Sequence, residues 1–149
     1  MESKAAVSNR FVEVLVVEDN PTDAYLTREA LQHSRFVMDI NVADDGEEAL
    51  DYLHHTGRFS HSIEPDLVLL DLNLPKKNGW AVLGEIRRTP ALSRIPVVIL
   101  TSSKSDSDAR MAREMKADLF IVKPPDVSHF PVLVNSLEHL LEKPLKRGA

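Results

Sequence analysis

Two rhythms of apolar residues alternate along this chain. Short, largely apolar runs occur at Val12-Glu13-Val14-Leu15-Val16-Val17, Leu67-Val68-Leu69-Leu70, Pro96-Val97-Val98-Ile99-Leu100 and Leu119-Phe120-Ile121-Val122, with a weaker one near Val37 to Val42. Runs this short and this apolar read as strands buried on both faces, the habit of a parallel sheet. Between them the apolar positions fall three and four apart. Ala49, Leu50 and Leu53 form one set, Val82, Leu83 and Ile86 another, and Phe130, Leu133, Val134, Leu137, Leu140 and Leu141 a long amphipathic stripe. Asn20-Pro21 is a helix start, a cap followed by proline at the first helical position, for a helix to about His33. Asp45-Gly46 opens the second helix, Trp80 to Arg88 forms the third and Asp106 to Lys116 the fourth, with a long polar connection from Gly57 to Pro65. Strand followed by helix, five times over, predicts an α/β fold: a doubly wound five-stranded parallel sheet with five helices on its two faces.

Open α/β sheets place ligands beyond the carboxyl ends of their strands. The residues at those ends are Glu18 and Asp19 after the first strand, Asp71 after the third, Thr101 and Ser102 after the fourth, and Lys123 after the fifth. Carboxylates about 5 Å apart repel by roughly 3 kcal/mol at an effective dielectric of 20, so such a group holds protons or recruits a cation. An oxygen-lined site without cysteine or histidine suits Mg2+. A carboxylate beside Mg2+ can attack a phosphoryl group, with the Lys123 ammonium and the Thr101 hydroxyl available to neutralise its oxygens. Taken singly, each residue has a plainer role: helix cap for Glu18-Asp19, turn residue for Asp71, loop residue for Thr101, solvated lysine for Lys123. Their coincidence at successive strand ends is what points to a site.

Composition narrows the options. With 149 residues the chain has room for one domain, expected to run over 11–142 between a flexible N-terminus at 1–10 and a C-terminal tail at 143–149. A net charge of -5 argues against nucleic acid as a partner. The absence of cysteine excludes disulfides and thiolate chemistry. No stretch approaches a membrane span or a signal core, so no membrane partner and a cytoplasmic location are expected. The six histidines show no ligand spacing. Met111 and Met115 read as packing residues, and Lys76-Lys77 as a solvated turn.

The pieces Val-Val-Glu18-Asp19-Asn, Leu-Leu-Asp71-Leu-Asn-Leu-Pro, Ile-Leu-Thr101-Ser and Phe120-Ile-Val-Lys123-Pro124 together resemble the receiver domain of two-component response regulators, from about Phe11 to Leu141. The resemblance implies a flavodoxin-like receiver fold with strand order 2-1-3-4-5. It implies Asp71 as the phosphoacceptor for a sensor histidine kinase, with Mg2+ held by Asp19, Asp71 and the backbone carbonyl of Asn73, and by Glu18 through water. Thr101 and Lys123 would contact the phosphoryl group, Thr101 and Phe120 would act as switch residues, and the Lys123-Pro124 bond would be cis. Asn73 and Ser103 match positions that tune autodephosphorylation. Such a regulator is no enzyme beyond its own phosphotransfer and dephosphorylation.

Tyr52-Leu53-His54, the Gly57 to Pro65 connection, Asp-Leu-Asn-Leu-Pro-Lys-Lys-Asn-Gly and Lys-Pro-Pro-Asp-Val-Ser-His-Phe further resemble the stand-alone regulators paired with bacterial and cyanobacterial phytochromes. Many of these form homodimers through the face of the fourth helix, fifth strand and fifth helix. Glu18, where an aspartate is commoner, and the small Ser102 are the departures. Three other readings compete. An aspartate-nucleophile phosphohydrolase would want a second carboxylate where Asn73 stands. A flavodoxin-like binder would want a phosphate-cradling loop in place of Glu18-Asp19. The third is a phosphorylation-independent dimeric scaffold on the same fold.

Overall fold

The structure, a computed structural model, describes residues 11–147, with side chains through Glu142. The N-terminus expected over 1–10 lies outside the described residues, as do the side chains of the expected tail. Five strands, β1 (Val12–Val17), β2 (Met38–Ala43), β3 (Leu67–Leu70), β4 (Val97–Thr101) and β5 (Leu119–Val122), form one sheet in the order β2-β1-β3-β4-β5. Every pairing is parallel. The helices described are α1 (Pro21–Leu31), α2 (Gly46–His54), α3 (Gly79–Arg88), α4 (Asp106–Glu114) and α5 (Phe130–Arg147).

Alternation along each strand sorts side chains into two cores. Leu15, Val17, Val68, Leu70, Val97 and Ile99 face α2, α3 and α4 through Leu50, Leu53, Val82, Leu83, Ile86 and Ala112. Val14, Val16, Leu67, Leu69, Val98 and Leu100 face α1 and α5 through Ala30, Leu31, Phe130, Leu133, Leu137 and Leu141. The sheet is therefore doubly wound, and all five strands run toward the same edge. At that edge Asp71 N–H donates to the Val17 carbonyl at 3.1 Å, and Lys123 N–H to the Thr101 carbonyl at 2.7 Å. These bonds extend the ladder one residue past β3 and β5, so the strand ends stay aligned.

Three expectations need correcting. The fourth helix stops at Glu114 and not at Lys116. Lys116 has φ 69°, with Lys116 N–H bonded to the Arg113 carbonyl and Ala117 N–H to the Ala112 carbonyl. That is a Schellman end with lysine in the place glycine usually takes, so no glycine announced it. His55, at φ 58°, ends α2 by the same device. Met111 is exposed at 44%, whereas Met115 packs on the core. Finally, the Lys123-Pro124 peptide is trans, like every peptide bond among the described residues. Trans is favoured by about 0.5–1 kcal/mol before proline, and no turn at Lys123 or Pro124 asks for the other isomer.

Two glycines allow close backbone approach behind the strand ends. A Cβ at Gly79 would lie 2.3 Å from the Asp71 carbonyl oxygen, and one at Gly46 would lie 1.9 Å from that of Lys77. The loop from Leu72 to Asn78 thus sits tightly between β3 and the starts of α2 and α3. Among the described residues, no helix is long and apolar enough to cross a membrane.

Candidate functional site

At the carboxyl edge, oxygen atoms of Glu18, Asp19 and Asp71 all lie within 4.8 Å of one another. Asp71 is buried because it follows the central strand, and Glu18 because it continues β1; Asp19, one residue on, is exposed. The Lys123 ammonium reaches into this group from the end of β5. Its Nζ lies 2.7 Å from Glu18 Oε1, 2.8 Å from Asp23 Oδ2 and 3.1 Å from Asp71 Oδ2. Each of its three donors can therefore meet a different carboxylate.

The electrostatics follow from burial and crowding. Burial is the main force on Glu18 and pushes its carboxyl above the ordinary range. The Lys123 hydrogen bond and the Asn20 N–H at 3.1 Å pull it back only in part, and the charge of Asp71 adds to the rise. Burial alone would depress Lys123, but the hydrogen bonds it donates to Asp23 and Glu18, with the charges of Asp71 and Glu18, raise it above the ordinary lysine value. One ammonium faces four carboxylates, Glu18, Asp19, Asp23 and Asp71, so negative charge remains uncompensated. Two of those carboxylates are buried, and all the donors are hard oxygens. That donor set fits a small divalent cation.

The other expected residues are placed less centrally. Thr101 is fully buried, and its hydroxyl oxygen accepts from Ser103 N–H at 3.3 Å. Ser103 in turn donates to Asp108 at 2.6 Å. Asn73 lines a cleft beside Asp19, shared with Leu74, Trp80 and Asp108. Phe120, half-buried on β5 opposite Ile99, packs against the core on the α2–α4 face. Lys76 is exposed in its turn, as expected, and its ammonium lies 3.6 Å from Asp45.

Sequence reading missed Asp23. It sits in the first turn of α1, where an acidic residue is favoured by the helix dipole and attracts no further notice. Its spacing four residues after Asp19, just past the Asn20-Pro21 helix start, was the available signal. Only the fold brings it within reach of Lys123, one hundred residues away.

Known proteins resemble this chain in sequence and fold. The family model described as response regulator receiver domain matches residues 14–135. Response regulator Rcp1 of Synechocystis sp. is 37% identical over 125 residues, covering 84% of this chain and 85% of that protein. The structure of the phosphorylated cyanobacterial phytochrome response regulator RcpA superposes with a TM-score of 0.81 at 37% identity, covering 89% of this chain and 94% of that one. The bacteriophytochrome response regulator AtBRR gives 0.73 at 40% identity, with 87% and 94% covered. With its sheet order, its acidic edge and a family match over most of its length, this chain belongs to the response regulator receiver family.

Proposed function

We propose that Asp71 is the phosphoacceptor of this receiver, and that the unit over residues 11–142 signals through the state of that carboxylate. The observation that carries this reading is the placement of Lys123 Nζ 3.1 Å from Asp71 Oδ2, inside a carboxylate group whose oxygens lie within 4.8 Å. Asp71 is buried and held by the sheet, so its carboxylate is positioned with little reorganisation. A carboxylate oxygen of Asp71 forms the new bond to phosphorus as the donor's bond to phosphorus breaks, and the leaving nitrogen carries away the electron pair. Lys123 donates hydrogen bonds to the phosphoryl oxygens, and Thr101 turns its hydroxyl inward to do the same. That turn would release Ser103 N–H and pass the change to the Ser103–Asp108 pair at the start of α4. Phe120, on the strand facing Thr101, would adjust its packing with it.

Asp19, Asp71 and the Asn73 backbone carbonyl would hold Mg2+ directly, with Glu18 acting through water. Mg2+ would offset charge developing on the transferred group. The phosphodonor is a sensor histidine kinase of the phytochrome class, a partner supported by the likeness to RcpA and AtBRR. Its docking segment would use the cleft of about 230 Å³ lined by Asp23, Leu26, Lys123, Pro124 and Phe130, next to the acceptor. A homodimer would use the α4–β5–α5 face, where Met111 and Val122 are exposed. The protein would act in the cytoplasm, where ATP and such kinases meet.

The deciding experiment adds acetyl phosphate or a phytochrome kinase with ATP, plus Mg2+, and follows the labelled protein. An adduct labile in strong acid and in base, absent from Asp71→Asn, is expected. Label retained in Asp71→Asn overturns the assignment. Light scattering with and without beryllofluoride tests the dimer, and a monomer under both conditions removes it.

A further inference from the structure

Lys123 and a divalent ion want the same oxygens. Two of the three carboxylates that hold the ammonium, Glu18 and Asp71, also belong to the oxygen cluster. An ion entering that cluster would draw both toward itself and repel the ammonium. Asp23 alone among the lysine's partners stands outside the cluster, yet its Oδ2 lies 2.8 Å from Nζ. Its position is independent of both strand ends. It is carried on the first turn of α1, where Asn20 Oδ1 accepts from Asp23 N–H at 3.0 Å, and its side chain is 36% exposed against 4% and 7% for Glu18 and Asp71.

We propose that Asp23 is a positioning residue that retains Lys123 when a divalent ion occupies the Glu18–Asp19–Asp71 cluster, so that the lysine and the ion share the pocket instead of excluding each other. The inference rests on the divalent site put forward above. Without Asp23 the ammonium has only Glu18 and Asp71 to bind, and it competes directly for them. With Asp23 present, the lysine can release the shared carboxylates and still remain at the pocket, where a phosphoryl group on Asp71 would meet it. The consequence is a coupling between Asp23 and ion affinity that runs through Lys123.

The test is a calorimetric titration of Mg2+, and separately of Mn2+, into four proteins: the parent, Asp23→Asn, Lys123→Met and the double variant. Asp23→Asn should weaken ion binding about five- to tenfold in the parent, and less than twofold once Lys123→Met has removed the competing ammonium. Asp23→Glu should restore most of the affinity. Quenching by Mn2+ of Trp80, the single tryptophan, which lines the cleft beside Asp19, supplies an independent readout. An equal loss with and without Lys123 would reduce Asp23 to a general charge effect and overturn the proposal. So would a parental loss below twofold. A parent chain that binds neither ion sinks the divalent reading itself, and this inference with it. If Asp23→Asn folds poorly by circular dichroism, Asp23→Ser replaces it with the same expectation, since serine also lacks the carboxylate charge.

Discussion

β3 and β5 each end in a charged residue of the same pocket, yet they hold those residues in different ways. β3 lies at the centre of the sheet with neighbours on both sides, and none of its four residues exceeds 1% exposure. Asp71 therefore projects from a fully buried central strand. β5 is an edge strand paired only with β4, and its residues are half-buried, with Val122 38% exposed. Lys123 reaches the pocket from this looser element on a long flexible stem, and Phe120 belongs to it as well. The proposed acceptor is thus held fixed with an adaptable cation opposite it, which suits the proposed transfer. The Thr101–Ser103–Asp108 chain of hydrogen bonds lies at this same β4–β5 edge.

Truncating a side chain in each strand tests that contrast most strongly. Leu70→Ala should cost about 2–5 kcal/mol in chemical denaturation, because a fully buried leucine leaves a cavity that central packing cannot close. Ile121→Ala should cost less than half as much, since its side chain is already half-solvated. Equal costs would show that β5 is as tightly held as β3.

Gly79→Ala attacks the support of Asp71 directly. The added methyl would stand 2.3 Å from the Asp71 carbonyl oxygen, so the loop must shift. A loss of about 1–3 kcal/mol is expected, accompanied by weaker divalent binding. Stability lost with binding intact would separate the loop from the pocket.

The smallest effect concerns Glu18. Its carboxyl is raised in the fold, chiefly by burial, so its contribution to stability is complete at low pH, below the unfolded glutamate value. That contribution is lost as pH rises through the folded value, and at neutral pH the ionised group is a cost. Glu18→Gln should thus raise the melting temperature of ion-free protein at pH 7 by about 2–4 °C, the shift about 1 kcal/mol gives a domain of this size. The gain should shrink on acidification through the folded value and reverse when Mg2+ is added. A lower melting temperature at pH 7 would mean that the Lys123 ion pair outweighs burial at this residue.

Much of this was legible in the residues themselves. Apolar runs marked β3, β4 and β5 without interruption, and β1 with only Glu13 between its apolar residues, because a strand covered on both faces admits few polar side chains. Asn20-Pro21 marked the start of α1, and the stripe from Phe130 to Leu141 marked α5. Local chemistry also listed Glu18, Asp19, Asp71, Thr101 and Lys123, since each closes or follows a strand of a parallel sheet. The end of α4 escaped because Lys116 adopts left-handed backbone without being glycine, a choice made by the hydrogen bonds of the closing turn.

What the sequence by itself determined was the order of elements and the edge on which the charged residues gather, both of which follow from periodicity and chain direction. What only the tertiary structure decided was which charges touch. Asp23 joined the pocket through the packing of α1 against the sheet, and Lys123 met three carboxylates drawn from β1, α1 and β3. Distances between residues fifty or a hundred positions apart depend on how helices pack on a twisted sheet, and no local pattern encodes that sum of many weak contacts.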